Sequence, residues 1–303
     1  MGKVLDSVRR ARPLLGTLVD ITATGGKHDQ LGRAIESAFN AVEHVHRLMS
    51  YHEPDSDVSR LNRANGSTPI VVHEWTYAVL QTALEIERQS KGAFNTAVAP
   101  VLEGLGLLPQ TTERSFPFDD RTPQHAVELL SGNRARLQAS GSTIDLGGIA
   151  KGFAVDQAVR ALRAHRARGG LVNAGGDMLG FGPDAHVVAI RDPRDPLRLM
   201  TQTRLRNAAL ASSGRAFEPT VSRQTSHCAI IDPGAREPVT AVRGATVRAA
   251  SCTIADALTK VVMIAGRAAS EVLDHYGASA LFVTDSGEVL ATADWQDVRS
   301  LAA

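Results

Sequence analysis

Apolar residues recur at helical spacing over two long stretches. Leu31, Ile35, Ala38, Val42, Val45 and Leu48 predict a helix from about Asp29 to Met49, and Val79, Leu80, Ala83, Leu84 and Ile86 predict another from Trp75 to Ser90. Ahead of them, LLGTLVDITATG combines β-branched residues with a glycine pair and reads as an opening strand and turn, with Arg9-Arg10 as a solvated lead-in. Between the helices, SYHEPDSDVSRLNRANGS is polar and rich in turn formers, the pattern of a long loop that can carry function. A second break, LLPQTTERSFPFDDRTP, ends at Thr122-Pro123, an N-cap and N1 pair that predicts a short helix through Leu130.

The centre is the most patterned region. STIDLGGIAKGFAVDQAVRALRAHRARGGLVNAGGDMLGFG predicts a short strand, a Gly-rich turn, a helix from about Ala150 to His165, a buried strand GLVNA and another Gly-rich turn. HVVAIR, MTQTRL, ALASS, CAIID and ATVRAA alternate as antiparallel strands do; a helix from about Ile254 to Ala265, the helix ASEVLDHY and a last strand ALFVTD follow. Strands and helices come in runs, which predicts an α+β fold with mixed, largely antiparallel sheets. No internal repeat or long linker divides residues 1–303, so one domain is expected, with room for two intertwined subdomains.

Composition narrows the function classes. With 33 basic and 32 acidic residues the net charge is +1, so no global field recruits nucleic acid or an anionic membrane. A small anion needs a local site. No apolar run reaches the ~20 residues that span a bilayer, and the basic start is followed by only a short apolar run broken at Gly16 and Thr17, without a cleavage pattern. Cys228 and Cys252 lie in apolar stretches without metal-ligand spacing and are expected to be reduced and buried. Together these features predict a cytoplasmic protein.

Four motifs carry candidate chemistry. In Asp145-Leu-Gly-Gly-Ile-Ala-Lys-Gly152 the glycines admit a ligand to the backbone, the helix start offers N–H donors to an anion, and Lys151 adds a cation; the motif fits a tight turn with a surface lysine equally well. Asn173-Ala-Gly-Gly-Asp177 suits a turn packed on a ligand, or simply a turn. Asp256, Thr259 and Lys260 share one face of a predicted helix; Asp256 suits a hard cation such as magnesium, and capping of the first turn explains it without a metal. His227, before Ile230-Ile-Asp232-Pro233, reads as a general base or as a structural histidine.

Taken in order, RPLLGTLVDI, MSYHEPDSDVSRLN, GAFNTAVAPVL, IDLGGIAKGFAVD, LVNAGGD, ASSG, HCAIIDP and SCTIADALTKVV resemble the ApbE-type FAD:protein FMN transferase family. The resemblance implies a mixed α+β body in two halves around an FAD cleft. It implies magnesium on the FAD pyrophosphate, attack of a target-protein Thr hydroxyl on the FMN phosphorus, and release of AMP. By the same likeness Asp256 becomes a metal ligand, with the Ala150 carbonyl and Thr259 beside it, and Lys151 and His227 become catalytic partners. Lys151, Asn173, Gly175, Gly176 and Asp177 would line the nucleotide cleft. Leu15, Gly16, Thr17, Ser50, Tyr51, Ser56 and Asn62 would form the flavin side, and Phe94, Asn95, Asp145, Gly148, Ser213 and Asp232 complete the FAD-binding set. Two positions depart from the family pattern: Asn95 stands where many members have Asp, and Lys260 where many have Thr or Asp. A lysine there repels a divalent ion or partly replaces it. An FAD pyrophosphatase and a catalytically silent FAD binder are the alternatives.

Overall fold

A computed structural model describes residues 6–64, 66, 68–110, 122–138, 142–216, 228–295 and 299–300. The chain opens on β1 (Ser7–Leu14) and β2 (Thr17–Thr24), then α1 (His28–Met49), α2 (Asp57–Ala64), β3 (Ile70–Val71), α3 (Glu74–Gln89) and α4 (Ala99–Gly104). β4 (Val127–Leu130), β5 (Arg134–Leu137), α5 (Ala150–Ala164), β6 (Gly169–Ala174), β7 (Asp177–Phe181), β8 (His186–Asp192) and β9 (Asp195–Leu205) follow. The last elements are β10 (Ala208–Gly214), β11 (Ile231–Asp232), β12 (Glu237–Pro238), β13 (Val242–Ala249), α6 (Cys252–Ala265), α7 (Ser270–His275), β14 (Ser279–Thr284), β15 (Val289–Ala291) and β16 (Arg299–Ser300).

Eight strands form one sheet in the order β1-β2-β6-β7-β10-β13-β14-β15, and neighbouring strands run antiparallel throughout. On one face lie α1, α5 and α6, whose apolar stripes bury Ile35, Phe39, Val155, Leu162, Leu258 and Val262 against Val19, Ile21, Val172 and Val247. The β8-β9 ribbon covers part of the other face, where Val188, Ile190 and Leu205 pack on Met178, Leu210 and Leu281. Between these layers β7 is buried along its whole length.

Several expectations change. The opening strand is a hairpin, because Leu15 and Gly16 both take positive φ, as a tight two-residue turn demands. Arg9 and Arg10 are therefore inside β1, paired to Asp20 on β2 and Glu36 on α1. The polar stretch after α1 is not all loop: α2 forms within it, because Val58 and Leu61 find buried places and Ser56 Oγ accepts the Ser59 N–H at 3.0 Å. The helix expected through Leu130 is replaced by β4, which pairs with β5; His125 takes a positive φ of 53° that no helix accommodates. STIDL forms no strand, because residue 144 is clamped by Asn62, whose amide donates to the Ile144 carbonyl at 3.0 Å and accepts its N–H at 2.9 Å. CAIID is a strand only at Ile231–Asp232, and ALFVTD is followed by β15 and β16. Both cysteines are buried free thiols.

Candidate functional site

The start of α5 lies against α6 with no side chain between them. A Cβ placed on Gly152 would stand 2.2 Å from the Cys252 carbonyl and 2.7 Å from the Asp256 Cβ, so only glycine permits the crossing. The two helices exchange contacts across it. Asp256 on α6 accepts the Gly152 N–H at 2.9 Å, a donor that a helix's first turn leaves without an intrahelical partner. Asp156 on α5 in turn accepts the N–H groups of Cys252 and Thr253, each at 2.9 Å, at the start of α6. The cap of α6 is Ser251, supported by Asp156, so Asp256 caps the first turn of α5 and not that of its own helix. Asp156→Asn keeps the shape but loses one acceptor oxygen. Its urea midpoint should fall by the equivalent of about 1–2 kcal/mol, and an unchanged midpoint would rule out this cross-helix cap.

Four charges gather where the helices meet. Asp177, at the start of β7, bonds the Lys151 ammonium at 2.6 Å, which also lies 3.9 Å from Asp256. Lys260, one turn after Asp256, folds back so that its ammonium bonds Asp256 Oδ1 and the Asp256 carbonyl, the latter at 3.1 Å. Both carboxylates are buried. Burial pushes the Asp177 carboxyl above the usual range, the Asp256 charge pushes the same way, and Lys151 pulls against them. For Lys151 burial works against the charge, but Asp177 and Asp256 outweigh it and hold its proton more firmly than usual. Thr259 Oγ1 meets Ser213 Oγ at 2.7 Å and donates to the Asp256 carbonyl at 2.7 Å, which ties α6 to β10.

A cavity of about 190 Å³ opens beside this cluster. Lys260, Asp145, Gly148, Phe94 and Asn95 line it together with an apolar wall from Leu102, Leu108, Ile230 and Ile264. A pocket enclosing a whole small ligand is typically ~300–1,000 Å³, so this one is sized for one end of a larger molecule. Asp145 is pushed up by burial while the Gly147 and Leu146 N–H groups draw it back, and its carboxylate folds over Gly147.

The other expected residues among those described fall in three places. Leu15, Gly16 and Thr17 line a shallow pocket at the β1-β2 turn. A Cβ on Gly175 would stand 2.5 Å from Thr17 Oγ1, and Asn173 Oδ1 accepts the Gly176 N–H at 2.9 Å, so this turn and the NAGGD turn meet beside Asp177. Ser50, Tyr51, Ser56 and Asn62 belong to a hydrogen-bonded layer that holds the chain after α1: Ser56 Oγ donates to the Ser50 carbonyl at 2.7 Å and Tyr51 bonds Glu103. Asp232 accepts the Gly234 N–H at 2.8 Å and shares a second pocket with Asn95. Asn95 uses its amide fully, donating to the Pro123 carbonyl at 3.1 Å and to Glu87 and accepting the Ala97 N–H at 2.7 Å. An aspartate there would confront the buried Glu87 carboxyl, whose own pKa burial already raises. His227 lies outside the described residues.

Gly152 closes a motif visible in the sequence, but its part in the helix crossing and the role of Asp156 are not among the sequence expectations. The two residues are four apart on α5, the spacing of one helix face, and that was the available signal. The apolar wall carried none, because its residues come from separate segments.

A helix-backed antiparallel sheet with two lysines beside a cleft defines an α+β protein equipped for an anionic ligand. Residues 15–282 match the model of the ApbE family, and the chain belongs to that family. The FAD:protein FMN transferase of Treponema pallidum (strain Nichols) is 29% identical over 327 residues, spanning 97% of this chain and 89% of that protein. That of Vibrio cholerae serotype O1 is 26% identical over 279 residues, spanning 87% and 83%. The crystal structure of the ApbE protein of Thermotoga maritima matches with a TM-score of 0.85 at 26% identity, over 96% of this chain and 98% of that one. The flavin transferase ApbE of Vibrio cholerae shares the fold, with a TM-score of 0.78 at 23% identity over 97% and 100%.

Proposed function

We propose that this chain is an FAD:protein FMN transferase. The observation that carries the reading is the meeting of Lys151 and Lys260 with Asp177 and Asp256 beside the cavity, in a chain of the ApbE family. In the proposed reaction a threonine oxygen of an acceptor protein forms a bond to the FMN phosphorus. The bond from that phosphorus to the AMP oxygen breaks, AMP leaves, and the hydroxyl proton passes to a base. His227 is the base named by the family resemblance. Negative charge grows on the pyrophosphate as that bond breaks, and the ammonium groups of Lys151 and Lys260 are already in place to oppose it. The free buried thiols support a cytoplasmic setting.

Magnesium was expected at Asp256, and the residues present do not fit it. A hard dication needs several oxygen ligands with open lone pairs. Asp256 Oδ1 is taken by the Lys260 ammonium and Oδ2 by the Gly152 N–H, its carbonyl accepts from Thr259 and Lys260, and Asp177 is bonded to Lys151. The chemistry proposed for this chain runs on its own cations.

The test is incubation with FAD and a threonine-bearing acceptor domain, with AMP read by chromatography and flavin read as fluorescence on the denatured acceptor. Covalent flavin in step with AMP is the expected result. Free FMN with AMP and an unlabelled acceptor would make the chain an FAD pyrophosphatase, and intact bound FAD would make it a carrier.

A further inference from the structure

We infer that Lys260 is a built-in counterion standing in the place of a divalent metal ion at Asp256, so that this chain cleaves the FAD pyrophosphate without magnesium. The inference rests on the flavin-transfer reading for its reaction, but not for the cation site itself.

Three observations carry it. The first is position: Lys260 lies one helical turn after Asp256, and its ammonium bonds both the Asp256 carboxylate and the Asp256 carbonyl. Those are the two kinds of oxygen that a hard cation would use. The second is order from the solvent inward. Lys260 lines the cavity, while Asp256 is fully buried and does not line it, so a cation entering from the cavity meets the ammonium first. Third is charge. Lys151 and Lys260 already offset the buried Asp177 and Asp256, so a dication at Asp256 would have to displace the Lys260 ammonium or stand against it.

The ammonium can also do part of a metal's work. Lysine has three N–H donors, and Asp256 takes two of them, which leaves the third for a phosphate oxygen of the ligand. Buried Asp256 fixes the charge, so it need not be recruited from solution, and it opposes the negative charge on the departing AMP oxygen as Lys151 does.

The experiment compares wild type with Lys260→Thr, which returns a hydroxyl four residues after Asp256. Each protein is stripped with EDTA and assayed for AMP release with and without magnesium. Separately, without nucleotide, each is titrated with manganese, and free metal is read by electron paramagnetic resonance. Wild type is expected to release AMP equally fast in both conditions and to bind no manganese. Lys260→Thr should bind manganese and lose at least about tenfold in AMP release when stripped, with recovery on adding magnesium. Loss of wild-type AMP release on stripping, restored by magnesium, would overturn the inference; so would manganese bound by wild type as well as by the variant, or by neither. If no AMP appears from either protein under any condition, flavin transfer itself fails as a reading, and the manganese titration alone decides the counterion. If Lys260→Thr does not fold, Lys260→Met, which keeps the stem and removes the charge, replaces it in the titration.

Discussion

Lys151→Met is expected to lower AMP release from FAD about a hundredfold, the loss seen when one preorganised donor to a developing oxyanion is removed. The same change takes the ammonium from Asp177, 2.6 Å away and buried, and leaves Lys260 as the cation nearest both carboxylates. Breaking such a pair from one side costs about 2–3 kcal/mol here, below the cost for a fully enclosed pair because the lysine stem keeps about a third of its surface in water. The pH dependence separates this cause from a simple packing defect. In the fold the Asp177 carboxyl is raised above its ordinary value. A raised carboxyl binds its proton more tightly folded than unfolded, so its contribution is most favourable below the ordinary value and is lost as pH rises through the raised one. Without Lys151 the raising grows. Lys151→Met should therefore recover melting temperature at pH 5 relative to pH 8, measured against wild type at both. An equal deficit at the two pH values would show that the ion pair is not what was lost.

Gly152→Val is expected to cost about 3 kcal/mol of stability, the upper end of what overpacking costs because backbone is what it meets, and to abolish FAD turnover along with it. The Cβ alone would meet the Cys252 carbonyl at 2.2 Å, and backbone cannot swing aside as a side chain tip can. The helices must then separate, which breaks the Gly152-Asp256 bond and the Asp156 contacts together. Gly104 is the control, since a Cβ there meets nothing within 4 Å and its alanine variant should unfold no earlier than wild type. A Gly152→Val protein that melts with wild type would mean that α5 and α6 are farther apart than described.

What the sequence made legible follows from how local each cause is. The stripe from Leu31 to Val45 buries along one side of α1, so periodicity alone identified that helix. In α2 the buried apolar side chains are only Val58 and Leu61; its stability comes from tertiary places and from Ser56, and no window of sequence registers that. Thr122-Pro123 is a sound helix opening, overruled by the pairing of β4 with β5. The same division runs through the site. Asp145 to Gly152 and Asn173 to Asp177 stood out because glycine punctuates them. That Lys151 would reach Asp177 and Asp256 at once depends on α5, β7 and α6 converging, which spacing does not encode. Asn95 looked like a lost carboxylate, whereas its amide is the partner that Glu87 and the Pro123 carbonyl require.

The sheet order places β2 beside β6, with the chain from α1 through α5 inserted between them. As the protein leaves the ribosome, the β1-β2 hairpin therefore waits with one edge unpaired while half the chain is made. An unpaired edge of alternating Val19, Ile21 and Ala23 invites pairing with another nascent chain. The candidate site cannot assemble earlier than that closure, because the NAGGD turn that joins β6 to β7 is what packs on Thr17. Fragments of this protein that stop short of β6 will carry the hairpin and the first helices and yet be aggregation-prone and unable to hold a ligand.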